Sequence, residues 1–141
     1  MRPHDERAHD EEGSILPLVL GYALLAMTLI LVCANATSLY LAQKRLDALA
    51  DAAALAASDG FTLTLEAGVP RAELDDERIR VQAQSIVDVA PGDPVLVDAS
   101  SGDGRSVRVT VATSWHPPIL APFVPDGVPL QATATSRNAL D

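Results

Sequence analysis

The sequence has little of what most enzymes and disulfide-stabilised secreted domains use. Its single cysteine, Cys33, excludes an internal disulfide and, lying within a long uncharged run, is most simply an apolar packing residue. There is no phosphate-binding glycine loop, no HExxH motif and no cysteine pair. Basic residues are also few, 10 Lys and Arg against 19 Asp and Glu, for a formal net charge of −9. This balance argues against nucleic acid as a partner and suits an acidic, solvated surface.

Charge is absent over a long stretch near the amino terminus. The 31 residues from Gly13 to Gln43 include no Asp, Glu, Lys, Arg or His. Leu, Ile and Val fill eleven of positions 15–32, and they favour membrane insertion by about 3 to 7 kcal/mol. As a helix the run would extend roughly 46 Å, against a hydrocarbon core of about 30 Å. It therefore predicts a transmembrane helix that starts near Ser14 and whose last turns tilt or leave the lipid.

A cleaved signal peptide is the alternative interpretation of this run. Ala34, Asn35 and Ala36 match the small-x-small pattern of a cleavage site. The run is longer than the roughly 7–15 apolar residues of a signal peptide, however, and its amino-terminal flank carries five acids against two arginines. Charge does not decide the orientation of a span, because the few basic groups on its two sides nearly balance.

Helix-forming residues continue without a break beyond the uncharged run. Leucine and alanine recur there at helical spacing, at Leu46, Ala50, Ala53 and Ala57. No Gly or Pro lies between Tyr22 and Ser58, and Asp59-Gly60 is a sequence typical of a helix end. One nearly continuous helix is therefore predicted from Ser14 to about Ser58. Its alanine face has two interpretations, packing on its own domain and contact with neighbouring subunits.

The remainder predicts an α+β domain with a second helix and a three-stranded antiparallel sheet. Phe61–Leu65 is an apolar stretch of uncertain type, broken at Gly68-Val69-Pro70. From Ala72 a helical stripe follows, part of which would also suit a strand: Ile79, Ala83, Ile86 and Ala90. Alternation predicts three strands, at Val95, Val97 and Ala99, at Val107, Val109 and Val111, and at Leu130, Ala132 and Ala134. The sheet would bury its valine face and expose Arg108, Thr110, Gln131 and Thr133.

The sequence contains no convincing catalytic or metal-binding constellation. His4 and His9 lie in the polar amino-terminal tail, and His116 stands between a tryptophan and two prolines with no accompanying nucleophile. The acids at positions 75–77 are better explained by stabilisation of a helix start than by a metal. We therefore expect a protein that is not an enzyme, needs no cofactor or metal, and has the membrane as a partner and no evident small-molecule substrate.

Two segments together carry a family resemblance. In the first, Gly13-Ser14 precedes the uncharged run and the signature Asp-Ala-Ala-Ala-Leu-Ala follows it at positions 51–56. The second is the ending, with the valine strand VRVTVATSW, the proline-rich loop HPPILAPFVPDGVP and the closing LQATATSR. Both resemble TadE/TadG-like proteins of the tight-adherence (Flp) pilus system. The resemblance implies a minor pilin or assembly component whose partners are other pilus or secretion-system subunits.

The resemblance also implies an arrangement across the membrane. Residues 1–12 would form a cytoplasmic polar tail, residues 13–60 the transmembrane helix with its juxtamembrane extension, and residues 61–141 a small extracytoplasmic domain. Small residues that would let other helices approach are Gly21, Ala23, Ala26 and Thr28 in the span and Ala50, Ala53 and Ala57 beyond it. The alternative is that those in the span only face lipid. A different class of protein also fits, a signal-anchored envelope protein whose exported domain binds a ligand or regulates an enzyme.

The candidate processing site of the resembled family departs from the pilin pattern. A prepilin peptidase would cut between Gly13 and Ser14, and pilin-like relatives carry a glutamate as the fifth residue after the cut. Counted from Ser14, that position is Leu18. A carboxylate in lipid is tolerable when it is paired, as with a neighbour's new amino terminus, and Leu18 removes the need for such a pair. We therefore expect an uncleaved chain.

Mass spectrometry of the protein purified from membranes tests this expectation. The intact mass should include the HDEEG leader, because the acid that would pair with a processed amino terminus is missing. A mature chain beginning at Ser14, especially a methylated one, would instead establish processing of the pilin type. A soluble chain beginning at Thr37 would establish the signal peptide.

Overall fold

The structure is a computed structural model that describes residues 15–59, 62–66, 69–73 and 75–137. The chain divides into two compact units, Met1–Thr37 and Ser38–Asp141. The elements, in chain order, are α1 (Ile15–Ser58), β1 (Thr62–Glu66), β2 (Val69–Glu73), α2 (Asp76–Asp88), β3 (Val95–Ser100), β4 (Ser106–Trp115), a 3-10 turn (Ala121–Phe123) and β5 (Val128–Arg137).

The long helix α1 contributes to both units and is continuous over 44 residues. This confirms the single helix expected from the lack of helix breakers after Tyr22, and Gly13 and Ser14 lie outside the described residues. Pro17 lies in the first described turn, where a missing N–H is least costly. By length and composition α1 could cross a membrane, with a mean hydropathy of 2.5 in its most apolar window.

The second unit has one hydrophobic core, to which α1, α2 and a three-stranded sheet all contribute. From α1 come Leu46, Ala50, Ala53, Ala54 and Ala57, and from α2 come Ile79, Ala83 and Val87. The sheet contributes Leu96, Ala99, Val107, Val109, Val111, Ala132 and Ala134. The core positions expected on α1 are therefore confirmed, and on α2 Val87 is buried while Ile86 packs only partly against the core.

The sheet has the order β3-β4-β5 with antiparallel neighbours, which confirms the predicted architecture. The central strand β4 places Val107, Val109 and Val111 on the inner face, each fully buried. Val109 pairs with Ala99 on one side and with Ala134 on the other. Small residues on the two outer strands thus flank the valines that fill the middle of the core.

A β-bulge makes β3 differ from the predicted alternation. Val95 and Val97 were expected on the buried face, and this is wrong, because they are 62% and 50% exposed. The pairing register shifts between Leu96 and Asp98, so the extra residue reverses which side chains face inward. Leu96 is buried in place of these two valines, whereas Ala99, beyond the bulge, is buried as the alternation predicts.

One residue of the outer face is also more buried than predicted. Thr110 was expected to be exposed, but only 9% of it is accessible. It lies on the central strand between Asp98 and Thr133, and its hydroxyl is 3.0 Å from that of Thr133. The strands on both sides of β4 cover Thr110, and a residue on an edge strand would be covered on one side only. Arg108, Gln131 and Thr133 are exposed as predicted.

A two-stranded antiparallel sheet, β1-β2, was not foreseen. Its register runs from Thr62 opposite Glu73 to Glu66 opposite Val69, which leaves two residues between the strands. Pro70, expected to break the structure, lies within β2, where an edge strand tolerates the missing donor. Ala72, the first residue of the stretch in which the helical stripe was expected, lies in β2, and the second helix begins at Asp76, among the acids expected to stabilise its start.

The acidic cluster at positions 75–77 forms the start of α2. The Asp75 side chain accepts a hydrogen bond from the Glu77 backbone N–H at 3.1 Å, as a helix cap does. Asp76 and Glu77 occupy the first turn, where the helix dipole favours acids. Asp76 also accepts from the backbone N–H of Ser101 at 3.1 Å and so links α2 to the β3–β4 turn.

The alanine face of α1 can be tested by adding bulk. Ala53 is fully buried, so Ala53→Leu should destabilise the second unit by about 1–3 kcal/mol through overpacking. The exposed neighbour Ala52 is the matched control, and Ala52→Leu should change the free energy of unfolding by less than about 0.5 kcal/mol. Urea unfolding of the detergent-solubilised protein can be followed by the fluorescence of Trp115, its single tryptophan. Equal effects of the two substitutions would contradict the assigned core face.

Candidate membrane anchor and juxtamembrane contacts

The part of α1 in the first unit exposes an apolar surface on every side. All its large hydrophobic side chains from Ile15 to Val32 are between 36% and 75% exposed. A helix that is apolar all round is typical of a membrane span or of a buried core helix, and the most apolar window here has no buried residue. Such a surface requires an apolar environment, which lipid provides.

Two polar side chains within this apolar helix donate a hydrogen bond to their own backbone. The Thr28 hydroxyl donates to the Leu24 carbonyl at 2.8 Å, and the Asn35 amide donates to the Leu31 carbonyl at 2.8 Å. These contacts return one turn along the helix and reduce the cost of a donor in lipid. Neither donor therefore requires a neighbouring helix.

The four small residues predicted for packing in the span lie on two faces of α1. Each residue advances by about 100° around a helix, so Gly21 and Thr28 share one face, and Ala23 and Ala26 lie nearly opposite. Gly21 lies in a shallow depression of about 360 Å³ together with Pro17, Leu18, Tyr22 and Leu25. Nothing lies within 4 Å of where a Cβ on Gly21 would be. Close approach of another span remains a prediction for both faces.

The three alanines predicted for packing beyond the span lie inside the second unit. Ala50, Ala53 and Ala57 are at most 1% exposed. This places the alanine face against its own domain, the first of its two predicted roles. Leu55, within the family signature, points away from that core and is 61% exposed. Its position off the alanine stripe is the sequence signal that could have identified an exposed apolar residue here.

Three hydrogen bonds connect α1 to the sheet within the second unit. Trp115 Nε1 donates to Ser38 Oγ at 3.2 Å, Gln43 Nε2 donates to the Gln131 carbonyl at 3.1 Å, and Ser136 Oγ donates to Ser58 Oγ at 3.1 Å. Along α1 from Gln43 to Ser58, the contacted residues of β5 run from Gln131 to Ser136. The two elements therefore run in the same direction.

Charged groups appear on α1 directly after the uncharged run. Gln43 also donates to Asp47 at 3.0 Å, and this bond is the main cause that lowers the pKa of the Asp47 carboxyl. Lys44 adds an ion pair with Asp47 at 3.4 Å and lies 5.8 Å from the centre of the Tyr40 ring. These contacts are exposed, so they contribute little to stability. They mark the first turn of α1 that carries full charges.

A groove of about 590 Å³ opens beside these contacts, within the second unit. It is lined by α1 from Ala42 to Leu49, by the loop at residues 90–94 and by the end of β4 from Thr113 to His116. The hydroxyl of Thr113 donates to the Gly92 carbonyl at 3.1 Å and holds that loop against β4. The groove is mostly apolar, with Arg45 and His116 as its ionisable groups. It could accept an apolar side chain or an acyl chain.

His116 has a structural role at the end of β4, where its ring lies beside Gly127. Gly127 has φ +69°, and a Cβ there would lie 3.0 Å from the His116 ring and 2.9 Å from the Trp115 carbonyl. Gly127 thus lets the returning chain pass close to the end of β4. Among the residues that the structure describes, no group of three His, Cys, Asp or Glu could hold a metal ion. His4 and His9 lie outside them.

The anchor and the small α+β unit fit the class of single-pass membrane proteins. Residues 13–59 match the family described as "Putative Flp pilus-assembly TadE/G-like". Residues 13–59 are thus similar to the TadE/G-like region of Tad pilus-associated components, which confirms the first segment of the resemblance inferred from the residues; the match does not extend to the ending. The matched region covers the whole of α1, including the signature at positions 51–56. No curated protein and no solved structure matches the chain.

Proposed function

We propose that the protein is a non-enzymatic, membrane-anchored minor pilin or assembly component of a Tad/Flp-type pilus or a related secretion apparatus. The observation that carries this proposal is the place of the family match. It falls on residues 13–59, the apolar helix and its alanine-rich extension, and includes none of the sheet. The part of the chain related to pilus components is therefore the part suited to packing in a membrane.

Helix association in lipid is the working chemistry of this proposal. Apolar surface gives no driving force between helices in lipid, so close packing at small residues has to supply it. Gly21 and Thr28 offer one such face and Ala23 and Ala26 another, so α1 could contact two neighbours at once. Past the span, the exposed side chain of Leu55 offers a further apolar surface for a neighbouring subunit, on the side of α1 that faces away from the core.

The orientation of the span is part of the proposal. The family resemblance favours a cytoplasmic amino terminus and a carboxyl-terminal domain outside the cytoplasmic membrane of a bacterium. The few basic groups on the two sides of the run nearly balance and give no support to either orientation. The acidic second unit would then be exposed to the aqueous phase of the envelope.

A second candidate function is favoured by the groove beside α1. A cavity of about 590 Å³ with a mostly apolar lining is within the size range of ligand sites. It would suit a signal-anchored envelope protein whose exported domain binds a ligand or regulates a partner enzyme. The two candidates differ in whether the span or the groove is the essential surface.

A fusion experiment tests the orientation. Alkaline phosphatase fused after Asp141 should be active, because that enzyme matures only outside the cytoplasm, whereas green fluorescent protein at the same place should stay dark. The same reporters placed before Met1 should give the opposite result and serve as the control. An active phosphatase before Met1 and a fluorescent carboxyl terminus would reverse the orientation and contradict the pilus role.

Co-purification tests the function itself. The intact tagged protein, extracted from membranes in mild detergent, should recover other pilus or secretion-system subunits. Gly21→Leu or Ala23→Leu should reduce this recovery by about tenfold if its face packs against a neighbour, which corresponds to roughly 1.4 kcal/mol. Val19→Leu, at an already large and exposed side chain, is the control.

The opposite pattern would favour the second candidate function. Partners lost on Leu49→Glu, within the groove, and retained in both span variants would place the essential surface in the exported unit. Recovery of no pilus or secretion subunit by the unsubstituted protein would contradict the proposed function.

A further inference from the structure

The connection between β4 and β5 exposes apolar side chains at its surface. Phe123 is 82% exposed, and Ile119 and Leu120 are each 44% exposed. Phe123 ends the 3-10 turn. Asp126 is the only residue of the connection, residues 116–127, that carries a full charge at neutral pH. We call this segment the apolar loop.

The contacts between α1 and the sheet locate the apolar loop within the second unit. Ser136 meets Ser58 at one end of the unit, whereas Trp115 meets Ser38 at the other. Val128, the first residue of β5, pairs with Trp115. Both ends of the apolar loop therefore lie beside Ser38, where the second unit begins.

The same end of the unit includes the last part of the uncharged run. Residues 38–43 of α1 carry no charge, and Lys44 and Arg45 are the first charged residues after them. Tyr40 is 61% exposed and Leu41 48% exposed in this stretch. Aromatic rings at such positions are typical of the boundary between lipid and water, as are basic residues just outside it.

We propose that the apolar loop is a second membrane contact, in which Ile119, Leu120 and Phe123 enter the boundary between headgroups and acyl chains of the lipid bilayer. Three observations favour lipid as the occupant. The loop lies at the same end of the unit as the exposed apolar residues 40–41 of α1, it is almost free of charge, and Lys44 and Arg45, at that end too, complement anionic headgroups. The proposal rests on the membrane anchorage contained in the proposed function.

Quenching by spin-labelled lipid tests the proposal on the full-length protein. The vesicles contain phosphatidylcholine and phosphatidylglycerol with a doxyl group at carbon 5 of the acyl chain. Single-tryptophan proteins are made by combining Trp115→Phe with Phe123→Trp, with Leu55→Trp or with Tyr22→Trp. Leu55 is the matched control, because it is large, apolar and 61% exposed but lies near Ser58, at the far end of the unit. Tyr22→Trp reports on the span itself.

The proposal expects a specific order of quenching. Phe123→Trp should be quenched at least about threefold more than Leu55→Trp, because only the former would reach the acyl chains. Its emission should also shift to shorter wavelength when the protein enters vesicles. As an independent check, the native Trp115 should be quenched less when Ile119, Leu120 and Phe123 are all replaced by serine. Tyr22→Trp, combined with Trp115→Phe and the same three serines, should still be quenched.

Three other results would overturn the proposal, and they differ in meaning. Equal weak quenching of Phe123→Trp and Leu55→Trp, with Tyr22→Trp strongly quenched, would leave the anchorage intact and place the loop in water. A blue shift of Phe123→Trp that depends on protein concentration, without quenching, would mean that a second copy of the chain covers the loop. An unquenched Tyr22→Trp would show that the span itself is not in lipid, so the proposed function would fail as well.

Discussion

The burial of one alanine face of α1 against the sheet and α2 is the contact on which the second unit depends. Ala50, Ala53 and Ala57 lie in the same core as the fully buried valines of β4 and Ile79 of α2. Alanine contributes little volume but strongly favours helix, so the same residues extend α1 and close the core. A larger residue on this face would have to displace valines that are already fully buried. Substitution on this face is therefore more disruptive than on the exposed apolar surface of residues 15–32.

This contact also determines which side chains the second unit leaves exposed. Because α1 and β5 run in the same direction, the end of β4, the start of β5 and their connection lie where the unit begins, beside Ser38. The hydrogen bond from Trp115 fixes that end of the sheet to α1. The most exposed aromatic residue of the connection, Phe123, is consequently held at this end without being part of the core. Its exposure follows from topology, since a loop outside the α1–sheet contact has no core to enter.

The sequence predicted the elements that long periodic patterns define and missed those that depend on single residues. α1 was predictable because nothing between Tyr22 and Ser58 breaks a helix, and β4 because three valines alternate without interruption. The bulge at β3 was not predictable, since Val95, Val97 and Ala99 alternate equally well in either register. The β1-β2 pair was not predictable because its strands are short and because Pro70 is normally a strand breaker. The exposed apolar residues of the apolar loop lie between prolines without a regular spacing, so the sequence could not predict whether they are buried or exposed. Leu55 could have been found, because it lies off the alanine stripe.

The location of the apolar surface bears on whether such a protein stays in the membrane or leaves it. A filament subunit has to be withdrawn from the bilayer, so every additional lipid contact raises the cost of incorporation. Leu18, in place of the acid that pilin-like relatives carry, makes α1 more stable in lipid and removes a charge that could pair with a neighbouring subunit. A loop contact near Ser38 would add to this retention. Under the proposed function, both features would favour a resident component of the membrane over a major filament subunit.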